Sequence, residues 1–346
     1  MEVEHAMTGL DARPCTRSGE ARAPSNTTGS RTDDCWAVIL AGGEGTRLLP
    51  LTRVLAGDER PKQFCALLGQ ETLLESTRKR VALSVQSSRT LFILTKSHDR
   101  YYEPLIADVP RRQLVEQPSN AGTAAAILYG LLRLRKEDPS GLVAFFPTDH
   151  YVSDDRAFMG HVERAVAATR ARRDLVILIG IPPESPEPEY GWIEPTAPSS
   201  MEDSGGVRWI RRFWEKPAFP LARTLMKRGC LWNSFVMVGS VAAFIDLIRE
   251  ATPDLYERFE SIEATLGSDG EERAIRELYE SLPETNFSRD VLTARPANIG
   301  VLVADGVAWS DLGKPDRALA RMRNAAGAEA RFDLERPAAA YADVIG

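Results

Sequence analysis

Cys35-Trp36-Ala37-Val38-Ile39-Leu40-Ala41-Gly42-Gly43-Glu44-Gly45-Thr46-Arg47-Leu48 begins as a short apolar run rich in β-branched residues and breaks into a glycine-rich loop. The run reads as a strand buried on both faces, the usual opening strand of a parallel sheet. Gly42, Gly43 and Gly45 remove side chains where a backbone must approach a ligand closely, and they permit positive φ. Successive N–H groups in such a loop form an anion cradle. Arg47 adds a planar fork of donors, and Lys62, in Pro61-Lys62-Gln63-Phe64, adds a compact charge. A tight strand-to-helix turn with two solvated cations is the plainer alternative, because short glycine patterns recur by chance. No Gly-Lys-Ser/Thr follows at Walker A spacing. A Leu-Leu-Pro-Leu run stands where a dinucleotide fingerprint would continue into an uninterrupted helix.

Outward from this stretch, apolar runs at 91–94, 113–116, 143–146 and 175–179 read as strands. Helical patterns at about 72–83, 97–107, 123–136 and 155–171 separate them, and residues 49–62 read as a long loop. Alternation of this kind argues for an α/β fold with a parallel sheet covered by helices. After residue 180 the pattern changes to a Pro-rich stretch, an alternating segment 207–214 and an apolar run 231–238. Further helices are expected near 218–228, 240–250, 255–266 and 270–281.

Composition narrows the class. The chain has 346 residues, 43% of them hydrophobic, enough for a large core. Net charge is −6, so nothing pulls the whole chain toward nucleic acid or anionic membrane. No apolar run approaches the roughly 20 residues a bilayer span needs. The four cysteines are scattered without a CxxC pair. They read as reduced thiols in a cytoplasmic protein. Residues 1–33 read as a disordered leader, with a start at Met7 or later as the alternative. Residues 34–322 read as the folded domain and 323–346 as a tail.

Three further loops carry chemistry. Gln117-Pro118-Ser119-Asn120-Ala121-Gly122-Thr123 leads into a helix, where amide donors favour polar or anionic groups, although an ordinary capped helix start has the same pattern. Asp149 follows a strand in Pro147-Thr148-Asp149-His150, where a carboxylate suits Mg²⁺ and where a turn residue would look the same. Asn233, in Trp232-Asn233-Ser234, carries both a donor and an acceptor and suits a vicinal diol.

These segments, with Tyr190-Gly191-Trp192-Ile193, Glu215-Lys216-Pro217 and Trp309-Ser310-Asp311-Leu312-Gly313, resemble the sugar-nucleotidyltransferase family over about residues 35–322. The motifs are individually weak, and their order is the specific feature. The resemblance implies a Rossmann-like, mixed, mostly parallel sheet flanked by helices, of the nucleotide-diphospho-sugar transferase or GT-A-like kind. It implies GTP and mannose 1-phosphate as small-molecule partners, Mg²⁺ as cofactor, and no nucleic-acid or membrane partner. The oligomeric state stays open, with a homodimer as the candidate.

The resemblance also assigns roles. Leu40, Ala41, Gly42, Gly43, Gly45 and Thr46 would cradle the nucleotide, with Gln117, Asn120, Gly122 and Thr123 at the base. Arg47 and Lys62 would hold the triphosphate, and Lys216 would orient the sugar phosphate. Tyr190, Gly191, Glu215 and Asn233 would line the sugar pocket, and Asp149 and Asp311 would hold the metal. Two departures stand out: the family usually has Arg at the position of Ala121 and often Pro at that of Ala125. Another sugar 1-phosphate, another nucleotide, or a non-catalytic nucleotide-sugar-binding subunit remain the alternatives.

Overall fold

A computed structural model describes residues 32, 34–197, 206–294 and 298–325. The opening run forms β1 (Cys35–Leu40), followed by α1 (Leu49–Ala56), α2 (Leu73–Val81), β2 (Thr90–Thr95), the one-turn α3 (Asp99–Tyr102) and β3 (Leu114–Gln117). Next come α4 (Thr123–Glu137), β4 (Leu142–Pro147), the short β5 (Tyr151–Val152), α5 (Asp155–Ala171) and β6 (Val176–Ile181). The second half contains β7 (Trp192–Pro195), β8 (Val207–Trp214), α6 (Phe219–Lys227), β9 (Leu231–Ser240), α7 (Val241–Ala251), α8 (Pro253–Glu260) and α9 (Glu271–Tyr279). It closes with β10 (Ile299–Val303), β11 (Trp309–Ser310) and α10 (Pro315–Ala325).

Nine strands form one sheet in the order β3-β2-β1-β4-β9-β6-β10-β8-β7. β1 pairs in parallel with both β2 and β4, and β6 with β10, while β9 runs antiparallel between β4 and β6. β8 and β9 oppose the direction shared by the other strands of this sheet, so the sheet is mixed and mostly parallel. β7 pairs with β9 as well as β8, which closes β9, β6, β10, β8 and β7 into a ring of pairings.

Alternation along β1 shows why the sheet is covered on both sides. Trp36 and Val38 join the core cluster that contains α4, α7, α8 and α9, whereas Cys35, Ala37 and Ile39 join the one containing α2 and α5. Successive side chains leave a strand on opposite faces, so both faces must be apolar in a three-layer sandwich.

The expected loop at 49–62 is corrected: its first eight residues are α1. Pro50 occupies the first turn, where its missing N–H is not needed. Leu51 then packs with Leu48, Leu312 and Leu319 in a third cluster. The helix expected at 97–107 is only α3 flanked by 3₁₀ turns. The leader and most of the tail lie outside the described residues. Thr32 is buried, its carbonyl accepting the Cys35 N–H at 2.9 Å. α10 runs to Ala325, past the expected domain end at 322.

Candidate active site

The sheet order reverses at β1, whose neighbours β2 and β4 come later in the chain on opposite sides. A crevice forms at the carboxyl ends of strands at such a point. There a cavity of about 390 Å³ opens over the end of β1 and β4.

The glycine loop forms one wall, and side chains fix its backbone. Gln63 Nε2 donates to the carbonyls of Ala41 (3.1 Å) and Gly43 (2.6 Å), and Thr95 Oγ1 donates to that of Gly42 (2.9 Å). A Cβ on Gly42 would lie 2.8 Å from Gln117 Nε2 and 2.9 Å from Thr95 Oγ1, so any side chain here would displace one of these two polar groups. Gly45 turns with φ of +62° into the 3₁₀ turn Thr46–Leu48.

The second wall is the loop between β3 and α4. Gln117 is buried, and Tyr279 from α9 donates to its Oε1 at 3.0 Å, which leaves the amide nitrogen facing Gly42. Asn120 Oδ1 accepts from Gly122 N at 3.0 Å, a local Asx turn. Gly122 has φ of +89°, and a Cβ there would meet Thr285 O at 2.3 Å. Thr285 is tied down from both sides: its N–H reaches Ala121 O and its carbonyl accepts Ala124 N–H, each at 3.0 Å. Phe287 N–H donates to Thr123 Oγ1 at 2.8 Å. The segment 283–288 therefore covers the start of α4, and Glu284, Asn286 and Ser288 join the lining. Ala121 lies buried beneath this segment.

On the third side, Thr148 Oγ1 and N–H both bond to Leu40 O, tying the end of β4 to β1. Asp149 and Asp311 line the same cavity although 162 residues separate them. Lys62 joins them. Its Nζ lies 3.0 Å from Asp149 Oδ2, 2.9 Å from Asp311 O and 3.2 Å from Leu312 O. Burial pushes the Asp149 carboxyl up, but the charges of Lys62 and His150 outweigh it and hold Asp149 below its ordinary range. Asp311 Oδ1 accepts Gly313 N–H at 2.8 Å and lies 3.4 Å from Arg317 Nη2.

Tyr190, Gly191, Glu215 and Asn233 form the last wall. Gly191 O accepts Asn233 N–H at 2.8 Å, and a Cβ on Gly191 would lie 2.7 Å from Phe213 and 3.3 Å from Glu215 Oε2. Burial raises the Glu215 carboxyl above its ordinary range, with Lys216 pulling the other way.

The structure therefore brings Leu40, Gly42, Gly43, Gln117, Asn120, Gly122 and Thr123 together with Asp149, Asp311, Tyr190, Gly191, Glu215 and Asn233. Ala41, Gly45, Thr46, Arg47, Lys62 and Lys216 are not in the lining. Lys62 is buried with its three donors committed, while Arg47 and Lys216 stand at least half exposed nearby. Sequence reasoning passed over Gln63, Phe235, Tyr279 and Glu284. Backbone strain marks the place independently. The positive-φ non-glycine residues among the described ones are Lys216 (44°), Phe235 (59°) and Leu312 (48°), each in a segment bordering the cavity. Such conformations persist only where the surroundings enforce them.

The lining holds five carboxylates (Asp149, Glu189, Glu215, Glu284 and Asp311) and neither lysine nor arginine. Lys62, Arg47, Lys216 and Arg317 stand against four of them from outside the lining, and a polyphosphate brings further negative charge that a bound cation would offset. Hard oxygen donors of this kind fit Mg²⁺, which is content with one or two carboxylates plus phosphate and water oxygens. Among the described residues no group of three or more His, Cys, Asp or Glu side chains is placed to hold a metal by itself. Among the same residues no helix is long and apolar enough to cross a membrane.

Residues 36–326 match the family model for nucleotidyl transferase. The chain is 31% identical over 288 residues to a mannose-1-phosphate guanylyltransferase of Sinorhizobium fredii, covering 80% of this chain and 53% of that protein. It is 30% identical over 223 residues to the alginate biosynthesis protein AlgA of Pseudomonas syringae, covering 64% and 44%. The chain thus spans about half the length of the curated relatives it matches. A solved structure described as mannose-1-phosphate geranyltransferase from Thermus thermophilus superposes with a TM-score of 0.70 at 28% identity, covering 81% of this chain and 76% of that one. By its sequence match and its fold, the chain belongs to the nucleotidyl transferase family.

Proposed function

We propose that the chain joins GTP and α-D-mannose 1-phosphate to give GDP-mannose and pyrophosphate. One observation carries the reading: a single cavity gathers the glycine loop, the Gln117–Thr123 loop, two separated aspartates and the wall of Tyr190, Gly191, Glu215 and Asn233. The name of the Sinorhizobium fredii relative, mannose-1-phosphate guanylyltransferase, supports the choice of base and sugar.

A sugar-phosphate oxygen attacks the α-phosphorus in line, one P–O bond forms, and the bond to the β-phosphate bridging oxygen breaks. Pyrophosphate leaves with that electron pair. The nucleophile is already ionised at neutral pH, so this chain supplies position and charge rather than a general base. The glycine loop holds the nucleotide, and Arg47 faces the leaving phosphates. Lys62, already bound to Asp149 and to the backbone at 311–312, fixes the two halves of the acidic site relative to each other. Lys216 orients the attacking phosphate, and Glu215 and Asn233 accept sugar hydroxyls. Asp149 and Asp311 would hold Mg²⁺, which when bound offsets phosphate charge at the reacting centre. Gln117, Asn120, Gly122 and Thr123 border the base. Glu284 offers a carboxylate there, whose two oxygens match the N1–H and 2-amino donors of guanine.

Pyrophosphate release from purified protein with Mg²⁺ tests this, crossing GTP, ITP, ATP and UTP with mannose 1-phosphate and glucose 1-phosphate. GTP with mannose 1-phosphate should dominate, ITP should be weaker for want of the 2-amino group, and Asp149→Asn should abolish turnover. Preference for another pair would overturn the base or sugar assignment. Tight GDP-mannose binding by folded protein without turnover would favour a non-catalytic binding subunit.

A further inference from the structure

In the lining of the cavity one carboxylate is shared by cations from remote parts of the chain. Glu189 lies on the proline-rich loop between β6 and β7 and belongs to the cavity lining. Its Oε2 accepts Arg47 Nη1 at 2.9 Å, and its Oε1 lies 3.7 Å from Lys314 Nζ. Lys216 is near enough to act on it electrostatically as well. Arg47 follows the glycine loop, Lys216 follows β8, and Lys314 stands three residues after Asp311.

Simple pairing does not account well for this grouping. The two cations that flank Glu189 are roughly half exposed, and an exposed ion pair contributes little to stability. Both stand beside a cavity whose lining contains five carboxylates and no cation of its own. Two cations converging on one carboxylate, one on each oxygen, have the donor arrangement that a phosphoryl group takes, with more charge and a third oxygen to offer. Glu189 is about 29% exposed, so its carboxylate has a path to solvent.

We propose that Glu189 is a placeholder for a substrate phosphoryl group, and that Lys314 is a third phosphate-binding cation beside Arg47 and Lys216. Neither Glu189 nor Lys314 belongs to the motifs from which the reaction was read. An incoming phosphate exchanges the Glu189 contacts for its own, and the released carboxylate turns to solvent. The placeholder keeps the three cations from repelling one another before substrate arrives, and it weakens phosphate binding by the strength of the contacts that must break. The proposal rests on the nucleotidyl-transfer reading for the identity of the ligands and on the Glu189 geometry for the site itself.

Two phosphates could fill the clamp: the pyrophosphoryl end of the nucleotide or the phosphate of the sugar. Titration calorimetry on the full chain with Mg²⁺, using inorganic pyrophosphate in one arm and mannose 1-phosphate in the other, separates them. The single substitutions are predicted to act in opposite directions. Glu189→Gln tightens binding at least threefold, and Lys314→Gln weakens it at least threefold, in whichever arm fills the clamp. Lys314→Arg restores the wild-type value. A brace that merely orders the two loops would make both Gln variants weaker, and that result overturns the proposal. Unchanged affinity in both variants overturns it too, as does the lack of binding of either probe to folded wild-type protein. The signs are read from binding alone, so a chain that binds with the predicted pattern yet turns over no pair would refute the reaction and leave the clamp standing.

Discussion

Among single residues, Glu215 shows how the site trades stability for chemistry. Its carboxyl lies mostly buried beside Gly191, and burial raises it above its ordinary value of 4.5 against the pull of Lys216. A raised carboxyl means that the folded state binds the proton more tightly than the unfolded chain. Its ionisation therefore costs folding free energy as pH rises from about 4.5 through the folded value. Glu215→Gln keeps the shape and removes the charge, so the variant should melt at a higher temperature than wild type at pH 7. Near pH 4, where the wild-type side chain is already protonated, the gain should disappear. The same substitution should lower kcat/KM for the sugar phosphate roughly tenfold, as loss of a hydrogen bond to a charged acceptor does. Melting curves at the two pH values check the first claim, and an equal gain at both would show that packing rather than ionisation sets the difference.

At the level of elements, α2 offers a clean test of sequence reading. Thr72 accepts Glu75 N–H at 3.2 Å, and Glu75 Oε2 accepts Thr72 N–H at 2.8 Å, a reciprocal capping box. Thr72→Ala should cost about 1 kcal/mol of stability. It should leave turnover unchanged, because α2 does not border the cavity. Denaturant unfolding beside the pyrophosphate assay checks both halves. The helix was legible from its spacing, as were the buried strands β1, β2 and β4 from their apolar runs. α1 was not, because Pro50 reads as a breaker unless it is known to fall in the first turn. The partners of the motifs were also out of reach. Nothing local to Gln117 announces Tyr279, and nothing local to Glu284 announces that Thr285 locks it over the start of α4. Lys62 was legible as a motif member, but its commitment to Asp149 and, across some 250 residues, to the carbonyls of 311–312 follows from contacts remote in sequence.

For the whole molecule, the acidic centre sits where the two ends of the described domain meet. Leu48 and Leu51, near the start, pack with Leu312, Ala318, Leu319 and Met322, near the end, and Lys62 bonds across the same seam. α10 reaches further through Arg317. Its guanidinium carbon lies 4.6 Å from the Tyr190 ring centre, with nitrogens 3.4 Å from Asp311 Oδ1 and 3.3 Å from Glu187 Oε2. All three of its nitrogens are buried without an aligned hydrogen bond, so its hold on Tyr190 and Asp311 is electrostatic and through stacking. A cation next to a proposed metal carboxylate competes with the metal for that negative charge. Arg317→Met keeps the stem length and removes the cation, while Gly313 N–H and Lys62 still hold the 311–312 segment in place. The variant should therefore need several-fold less Mg²⁺ for half-maximal turnover. It should also lose about 1 kcal/mol of stability with the cation–π contact and show a higher KM for mannose 1-phosphate as Tyr190 loosens. Magnesium titrations at saturating substrates separate these effects. A raised Mg²⁺ requirement would mean that Arg317 orients Asp311 more than it competes for it, and α10 would then act as a positioning element of the acidic site.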